Sequence, residues 1–395
     1  MSNAHPITPL ASLGLPRQNE LSTALLATAG LELSFNARGA LLAAFTEIAR
    51  QGRRKVLLPA FHCPSAISPA LMAGLQPVYY RIRRDLGIDI DDVLAKADTD
   101  TAAILVIHFF GFAPPLAALA PLNAKGIRLV EDCSHSYVAA DTLELAGSPQ
   151  SDYRIYSFWK ITPSGVGGGI WRRDHAPAEP PRRQARASAR LRNYKRQLEE
   201  SIHHSGNSVL QALLQAADAA RNSLKAADAA APAVEPDLEH GENYYPVQQG
   251  LAQAAMPAHV RRILGAADIA SITRARRENF RAYLRSARRL SPMQGLAPAL
   301  PASTCPWVYP VLLENRAQWD HRMRDAGVAL HTFGIYLHSS LFQGQDRNAI
   351  GDARFLAERM LCLSIHQDLS VADIEANCNL IEATFKSLSP PCLSI

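Results

Sequence analysis

Apolar positions change their period several times along the chain, and each change predicts an element. Residues 39–50 (GALLAAFTEIAR) repeat apolar side chains at helical spacing. KVLLPAF (55–61) is a short apolar run broken by proline, which suits a buried strand and its exit. PSAISPALMAGLQ then predicts a helix and a turn, and PVYYRI (77–82) a strand. AAILVIHFF (102–110) reads as a second buried strand, and GIRLVEDCSH (126–135) as a strand that ends on an acid. YRIYSFWK (153–160) alternates, and GVGGGIW then turns sharply and returns. Strands alternating with helices predict an α/β unit with a mainly parallel sheet. Ligands of such sheets sit beyond the carboxyl ends of the strands, and His108, Asp132, His135, Ser157 and Lys160 all fall near such ends.

The texture breaks at about residue 175. From there to about 236 the text is rich in Ala, Pro, Arg and Gln, and predicts a pair of exposed or interfacial helices inserted in the fold. The arginines between 182 and 196 could form a basic patch for an anion, but read more simply as a solvated helical face. In the last part, WVYPVLL (307–313) predicts a strand and RAQWDHRMRDAG (316–327) a helix closed by glycine. VALHTFGI predicts a strand, RFLAERMLCLSI a helix running into a strand, and ADIEANCNLIEATFKSL a final amphipathic helix. The expected organisation is a large domain over 1–275, carrying the insertion, and a small α+β domain over 276–395.

Composition narrows the class. With 395 residues, 48% hydrophobic and 19% charged, the chain can bury a substantial core and is not a disordered one. A net charge of +5 is no argument for nucleic acid, yet leaves room for an anionic substrate in a locally basic cleft. No apolar run approaches the roughly 20 residues that span a bilayer, and the first twenty residues lack a basic head followed by an apolar stretch. The six cysteines (Cys63, Cys133, Cys305, Cys362, Cys378, Cys392) form no CxxC pair. They read as reduced thiols of a cytoplasmic protein, with no metal-site spacing.

Three places could carry chemistry. Lys160 ends a strand-like segment before the loop ITPSGVGGG, and a lysine among apolar groups loses its charge more easily and can attack a carbonyl. Gly165, Gly167, Gly168 and Gly169 would let the backbone pass close to a flat ligand. Asp132 closes the strand IRLV after Glu131; a buried carboxylate needs a cationic partner, and a protonated pyridine nitrogen is one. His135 could lie against a ring face. Asn36-Ala37-Arg38-Gly39 precedes a helix whose free N–H groups suit a phosphate, with Ser157 able to add a hydroxyl. Each has a bland alternative as a helix cap, a core histidine or a strand-end lysine.

Taken in order, these pieces resemble the DegT/StrS family of pyridoxal-phosphate sugar aminotransferases. The similarity runs through NARGAL, LPAFHCPSAISPALMAGLQPVYYRI, VIHFFGF, EDCSHS, YSFWKITPSGVGGG, GENYYPVQQGLAQ, YPVLLENR and LCLSIHQDLS. The resemblance implies a fold-type-I, aspartate-aminotransferase-like architecture and a homodimer with active sites at the subunit interface. By the same resemblance Lys160 is the Schiff-base lysine and Asp132 the acid on the pyridine nitrogen. His135 lies against the cofactor ring, Ser157 contacts the phosphate, and Arg38 and Gly39 hold it at the helix start. Asn243 reaches the phosphate from the partner subunit. Cys63 stands where the family usually stacks an aromatic on the cofactor, and Val166 where its Gly-Glu-Gly-Gly turn has Glu. Only Phe158 and Trp159 separate Ser157 from Lys160, a shorter segment than is usual there.

The function implied is transfer of an amino group from an amino-acid donor, by resemblance glutamate, to a keto acceptor such as a nucleotide-linked keto-sugar. One alternative keeps pyridoxal phosphate but changes the acceptor to a non-sugar keto or aldehyde compound, or the reaction to decarboxylation or condensation. Another is a non-catalytic binding or regulatory protein.

Overall fold

The computed structural model describes residues 5–14, 16–175, 183–225, 249–343 and 346–387. Asn243, Tyr244, Tyr245 and Cys392 lie outside them. In chain order the strands are β1 (Leu31–Ser34), β2 (Lys55–Pro59), β3 (Gln76–Tyr80), β4 (Thr101–Ile107), β5 (Arg128–Asp132), β6 (Tyr153–Ser157), β7 (Gly168–Arg172), β8 (Gln294–Gly295), β9 (Val308–Leu312), β10 (Leu330–His331) and β11 (Met360–Ser364). The helices are α1 (Glu20–Leu26), α2 (Ala37–Ala49), α3 (Pro64–Met72), α4 (Ile90–Lys96), α5 (Ala120–Ala124), α6 (Ala187–His204), α7 (Ser208–Lys225), α8 (Gln249–Ala252), α9 (Ala258–Ala266), α10 (Ile269–Arg285), α11 (Arg316–Asp325), α12 (Arg347–Arg359) and α13 (Val371–Lys386).

The first seven strands form one sheet in the order β1-β7-β6-β5-β4-β2-β3. The run β3-β2-β4-β5-β6 is parallel, and β7 and β1 close it antiparallel. Every residue of β4 is buried, as expected for a central parallel strand covered on both faces. After β2 the chain steps outward to β3 and then returns to the other side of β2, so a crevice opens between the ends of β2 and β4. A second, antiparallel sheet has the order β10-β11-β9-β8, with α10 and α13 packed on its core residues Tyr309, Val311, Leu361 and Leu363.

Helix starts follow from local chemistry. The Asn36 side chain caps α2 by accepting the Gly39 N–H at 2.9 Å. Pro64 opens α3 at the one turn that spares its missing N–H. Ser370 and Asp373 cap α13 reciprocally.

Two sequence expectations shift in detail. The segment 102–110 leaves strand geometry after Ile107, because Phe109–Gly111 form a 3-10 turn in which Phe110 sits left-handed at φ 57°. VALHTFGI yields only Leu330–His331 as strand; the residues after it leave the sheet to wall a cavity.

Candidate active site

A cavity of about 540 Å³ lies over the carboxyl ends of β2, β4, β5 and β6. Its floor includes Ile107, Asp132, Ser157 and Lys160 from the large sheet, with Cys63 at the start of α3 and Asn36 to Arg38 at the start of α2. Its other wall comes from far along the chain: Trp307 before β9, Arg324 of α11, and Leu330 to Tyr336.

Lys160 stands on a short 3-10 turn, Phe158–Lys160, that begins where β6 ends. Phe158 is buried, so the turn is anchored in the core while Lys160 opens onto the cavity. Burial pushes the Lys160 ammonium below the ordinary lysine range, against the pull of Asp132, Cys63 and Cys362. Its Nζ lies 4.6 Å from the centre of the Trp307 ring. Asp132 is the last residue of β5, nearly buried, and one of its oxygens accepts the Ser134 N–H at 2.9 Å.

His135 receives the Phe110 N–H on Nδ1 at 2.9 Å, which assigns the ring proton to Nε2. The left-handed Phe110 aims that N–H. Burial, then the Lys160 and His108 charges, hold His135 well below the usual histidine range, so it is neutral. Its ring stacks on Phe110 at 5.7 Å and meets Trp307 at 4.6 Å and the edge of Phe333 at 4.7 Å.

Ser157, Arg38 and Cys63 line the cavity with them, whereas Gly39 does not. The Gly39 N–H is taken by the Asn36 cap, and a Cβ on Gly39 would lie 2.3 Å from the Ala252 carbonyl oxygen, so this glycine lets α8 approach α2. The glycine-rich loop behaves alike. A Cβ on Gly168 would lie 2.3 Å from the carbonyl carbon of Asn36, and Gly167 takes φ 120°. These glycines seat β7 against the turn that starts α2; they are backbone-to-backbone approaches before anything else.

His108 does not line the cavity. It bonds Glu131 at 2.5 Å, and the other Glu131 oxygen takes the Ser148 N–H at 2.7 Å and the Ser151 hydroxyl. His108, Glu131 and Cys133 form a buried cluster whose ligand-capable atoms lie within 4.8 Å of one another.

Sequence reasoning missed Arg276. This arginine of α10 is fully buried and spreads its guanidinium over main-chain oxygens: Lys160 and Ile161 at 3.2 Å, Trp307 at 3.0 Å and Pro306 at 3.5 Å, with the Gln367 amide at 3.0 Å. Burial lowers its pKa to about 10. It ties the backbone of Lys160 to that of Trp307, the ring under the Lys160 amine. Nothing in the text around Arg276 distinguishes it from the other arginines of an amphipathic helix.

A second cavity of about 460 Å³ adjoins the first and shares His5, Asn36, Arg38 and Trp159 with it. Arg196 and Glu200 of the inserted helix α6 line it, and Arg196 donates to the Gly165 carbonyl at 3.0 Å.

Comparisons with known proteins point one way. A model of the DegT/DnrJ/EryC1/StrS aminotransferase family matches residues 26–228. A dTDP-3-amino-3,4,6-trideoxy-alpha-D-glucose transaminase from Micromonospora megalomicea subsp. nigra is 33% identical over 126 residues, 31% of this chain and 32% of that relative. The chain spans about a third of the length of the curated relatives it matches. Among solved structures, the aminotransferase TlmJ from Streptoalloteichus hindustanus superposes with a TM-score of 0.64 at 19% identity, covering 98% of this chain and 100% of that one. The PLP form of a putative sugar aminotransferase, Spr1654 from Streptococcus pneumoniae, gives 0.65 at 14% identity over 98% and 99%. These likenesses establish a fold shared with the aminotransferases.

Proposed function

The chain belongs to the DegT/DnrJ/EryC1/StrS aminotransferase family, and we propose that it moves an amino group from an amino-acid donor, glutamate, to a keto acceptor, a nucleotide-linked keto-sugar. The observation that carries this reading is the half-buried Lys160 amine, its charge disfavoured, opening onto the same cavity as the Asp132 carboxylate. The acceptor follows the relatives, whose names include a dTDP-sugar transaminase and a GDP-perosamine synthase.

The donor set suits pyridoxal phosphate. Asp132 supplies a carboxylate for a ring nitrogen, and neutral His135 a flat face for the ring. Ser157 and the start of α2 supply hydroxyl and N–H donors for a phosphate, with Arg38 adding charge. Cys63 would stand beside the ring. Bound there, the cofactor supplies an electron sink for charge that develops on the donor's α-carbon.

The chain's own residues do the rest. Lys160 is the residue that would hold the cofactor, and its Nζ would take the donor's α-proton as a base and return it as an acid. Burial disfavours its charged form, which raises the share of amine able to do so. The Asp132 carboxyl, at the end of β5, would face the ring nitrogen and favour its protonated form. Trp307 beneath the amine and Phe333 beside His135 exclude water from the floor. Asn243 is proposed to reach the phosphate from the partner subunit of a homodimer. The division at about residue 275 is proposed from the two separate sheets, with α10 carrying the chain across.

The test is absorbance and turnover. Purified protein given pyridoxal phosphate is expected to gain a band at the visible edge that moves to the near-ultraviolet with glutamate. Lys160→Ala should lose both band and turnover; wild-type activity in that variant would sink the assignment. Asp132→Asn should fold and retain the band, while kcat falls by about a hundredfold or more; an unchanged rate would remove Asp132 from its role.

A further inference from the structure

One wall of the cavity is built from three basic side chains on three separate elements. His331 ends β10, Arg324 lies in the last turn of α11, and His5 belongs to the segment before α1. The His5 and His331 rings lie 4.2 Å apart. His5 also faces Trp159 at 5.9 Å, and His331 faces Trp307 at 5.7 Å, so this wall begins one ring beyond the Lys160 amine.

His5 is held in place by its own neighbours in the chain. The Ile7 N–H donates to Asp368 at 2.8 Å, the Thr8 hydroxyl donates to the Pro163 carbonyl, and the Ser201 hydroxyl donates to the Thr8 carbonyl at 2.5 Å. Arg324 is oriented by Asp320 at 3.1 Å and by the Leu330 carbonyl at 3.3 Å. Asp320 and Asp368 do not line the cavity. Among the described lining residues the only acid is Asp132, on the other sheet. The groups facing His5 are His366, Arg276, Lys160 and Arg324; those facing His331 are His5, His366, Arg276 and Arg324. Burial first, then these neighbouring basic groups, keep His331 well below the usual histidine range and His5 at about 4. Two histidines held neutral chiefly by burial, with an arginine beside them, make a wall that a carboxylate would complete.

We propose that His5, His331 and Arg324 form the seat for a carboxylate of the amino donor, so that a dicarboxylic amino acid is selected by its second carboxylate while its amine faces Lys160. This rests on the aminotransferase reading. Both histidines gain a proton affinity in the complex that they lack without it, so binding takes up protons and tightens as pH falls from about 7.5 towards 6.

The probe is glutarate, a dicarboxylate without an amine or keto group, titrated by calorimetry into the full chain with and without pyridoxal phosphate. Titrations in two buffers of different ionisation enthalpy count the protons. Proton uptake is expected in the wild type and a smaller uptake, that of His5 alone, in His331→Gln, with glutarate affinity and KM for glutamate each weakened at least about tenfold in His331→Gln and Arg324→Gln. His321→Gln, on α11 and paired outside the cavity with Asp325, is the control and should bind as the wild type does. Binding without proton uptake would overturn the proposal, as would unchanged glutarate affinity in both variants. A KM effect on the keto acceptor alone would overturn it too, by giving the wall to the acceptor. Should the cofactor band fail to form, the family-based reading fails separately, because glutarate binding needs neither the band nor turnover.

Discussion

A buried guanidinium with no carboxylate bonded to it needs a reason, and Arg276 has one in the carbonyls it joins. The drop to a pKa of about 10 from 12.5 puts the cost of burying its charge at about 3 kcal/mol. Each acceptor left unmet in its absence would cost about 1–3 kcal/mol, and the Lys160 and Trp307 carbonyls and the Gln367 amide oxygen present three, while Ile161 keeps the Gln367 N–H at 3.2 Å. The acceptors outweigh the charge, so Arg276→Met is expected to destabilise the fold by about 3 kcal/mol or more, read as a lower denaturant midpoint. Arg276→Lys keeps the charge and loses the planar fork. That variant should retain more stability than the methionine variant yet lower kcat, since Lys160 and Trp307 would no longer share one anchor. Equal midpoints for wild type and Arg276→Met would show that the guanidinium only fills space.

At the scale of elements, the start of α2 depends on what lies behind it. Asn36 caps the helix, and β7 can press against that turn only because residue 168 has no side chain. Gly168→Ala would push a methyl to within 2.4 Å of the Ala37 nitrogen and shift the N–H groups proposed to hold a phosphate. Affinity for pyridoxal phosphate is expected to weaken at least about tenfold, measured by fluorescence titration. Ser370→Ala removes the cap of α13, away from the cavity, and should cost about 1 kcal/mol of stability with no change in cofactor affinity. Equal cofactor affinity in the two variants would break the link between β7 and the phosphate end. The strand that carries Asp132 was readable from its apolar run and the one that carries Ser157 from its alternation. The segment after β10 was not. VALHTFGI has the composition of a strand, and only the cavity it meets makes residues 332–336 leave the sheet.

For the whole molecule, the division between readable and unreadable falls at the cavity itself. The floor is made of residues at strand ends, whose positions follow from periodicity, and it brings Lys160, Asp132, His135, Ser157, Arg38 and Cys63 together. The opposite wall exists only once the C-terminal third folds back, and a local pattern carries no signal of that. His62 shows how the two are joined. It is fully buried beyond β2, its Nδ1–H donates to the Pro59 carbonyl at 2.9 Å, and its Nε2 accepts the His338 N–H at 2.9 Å. Nε2 can accept only in the neutral ring, so the pair of bonds is lost on protonation, and burial lowers the His62 pKa to about 3. The sign is that of a base with a depressed pKa: His62 contributes its full stability above pH 6.5, the unfolded value, and loses it as pH falls from 6.5 towards 3. By pH 5 the loss from His62 alone is about 2 kcal/mol. His135 and His331, held neutral in the same way, steepen the same limb. Unfolding free energy from denaturant titrations is therefore expected to be flat above about pH 7 and to drop between pH 6.5 and 4. His62→Gln should lower the plateau and flatten the drop. An acid limb as steep in that variant as in the wild type would mean that His62 already protonates in the folded protein, and that the join between floor and wall does not depend on its neutral ring.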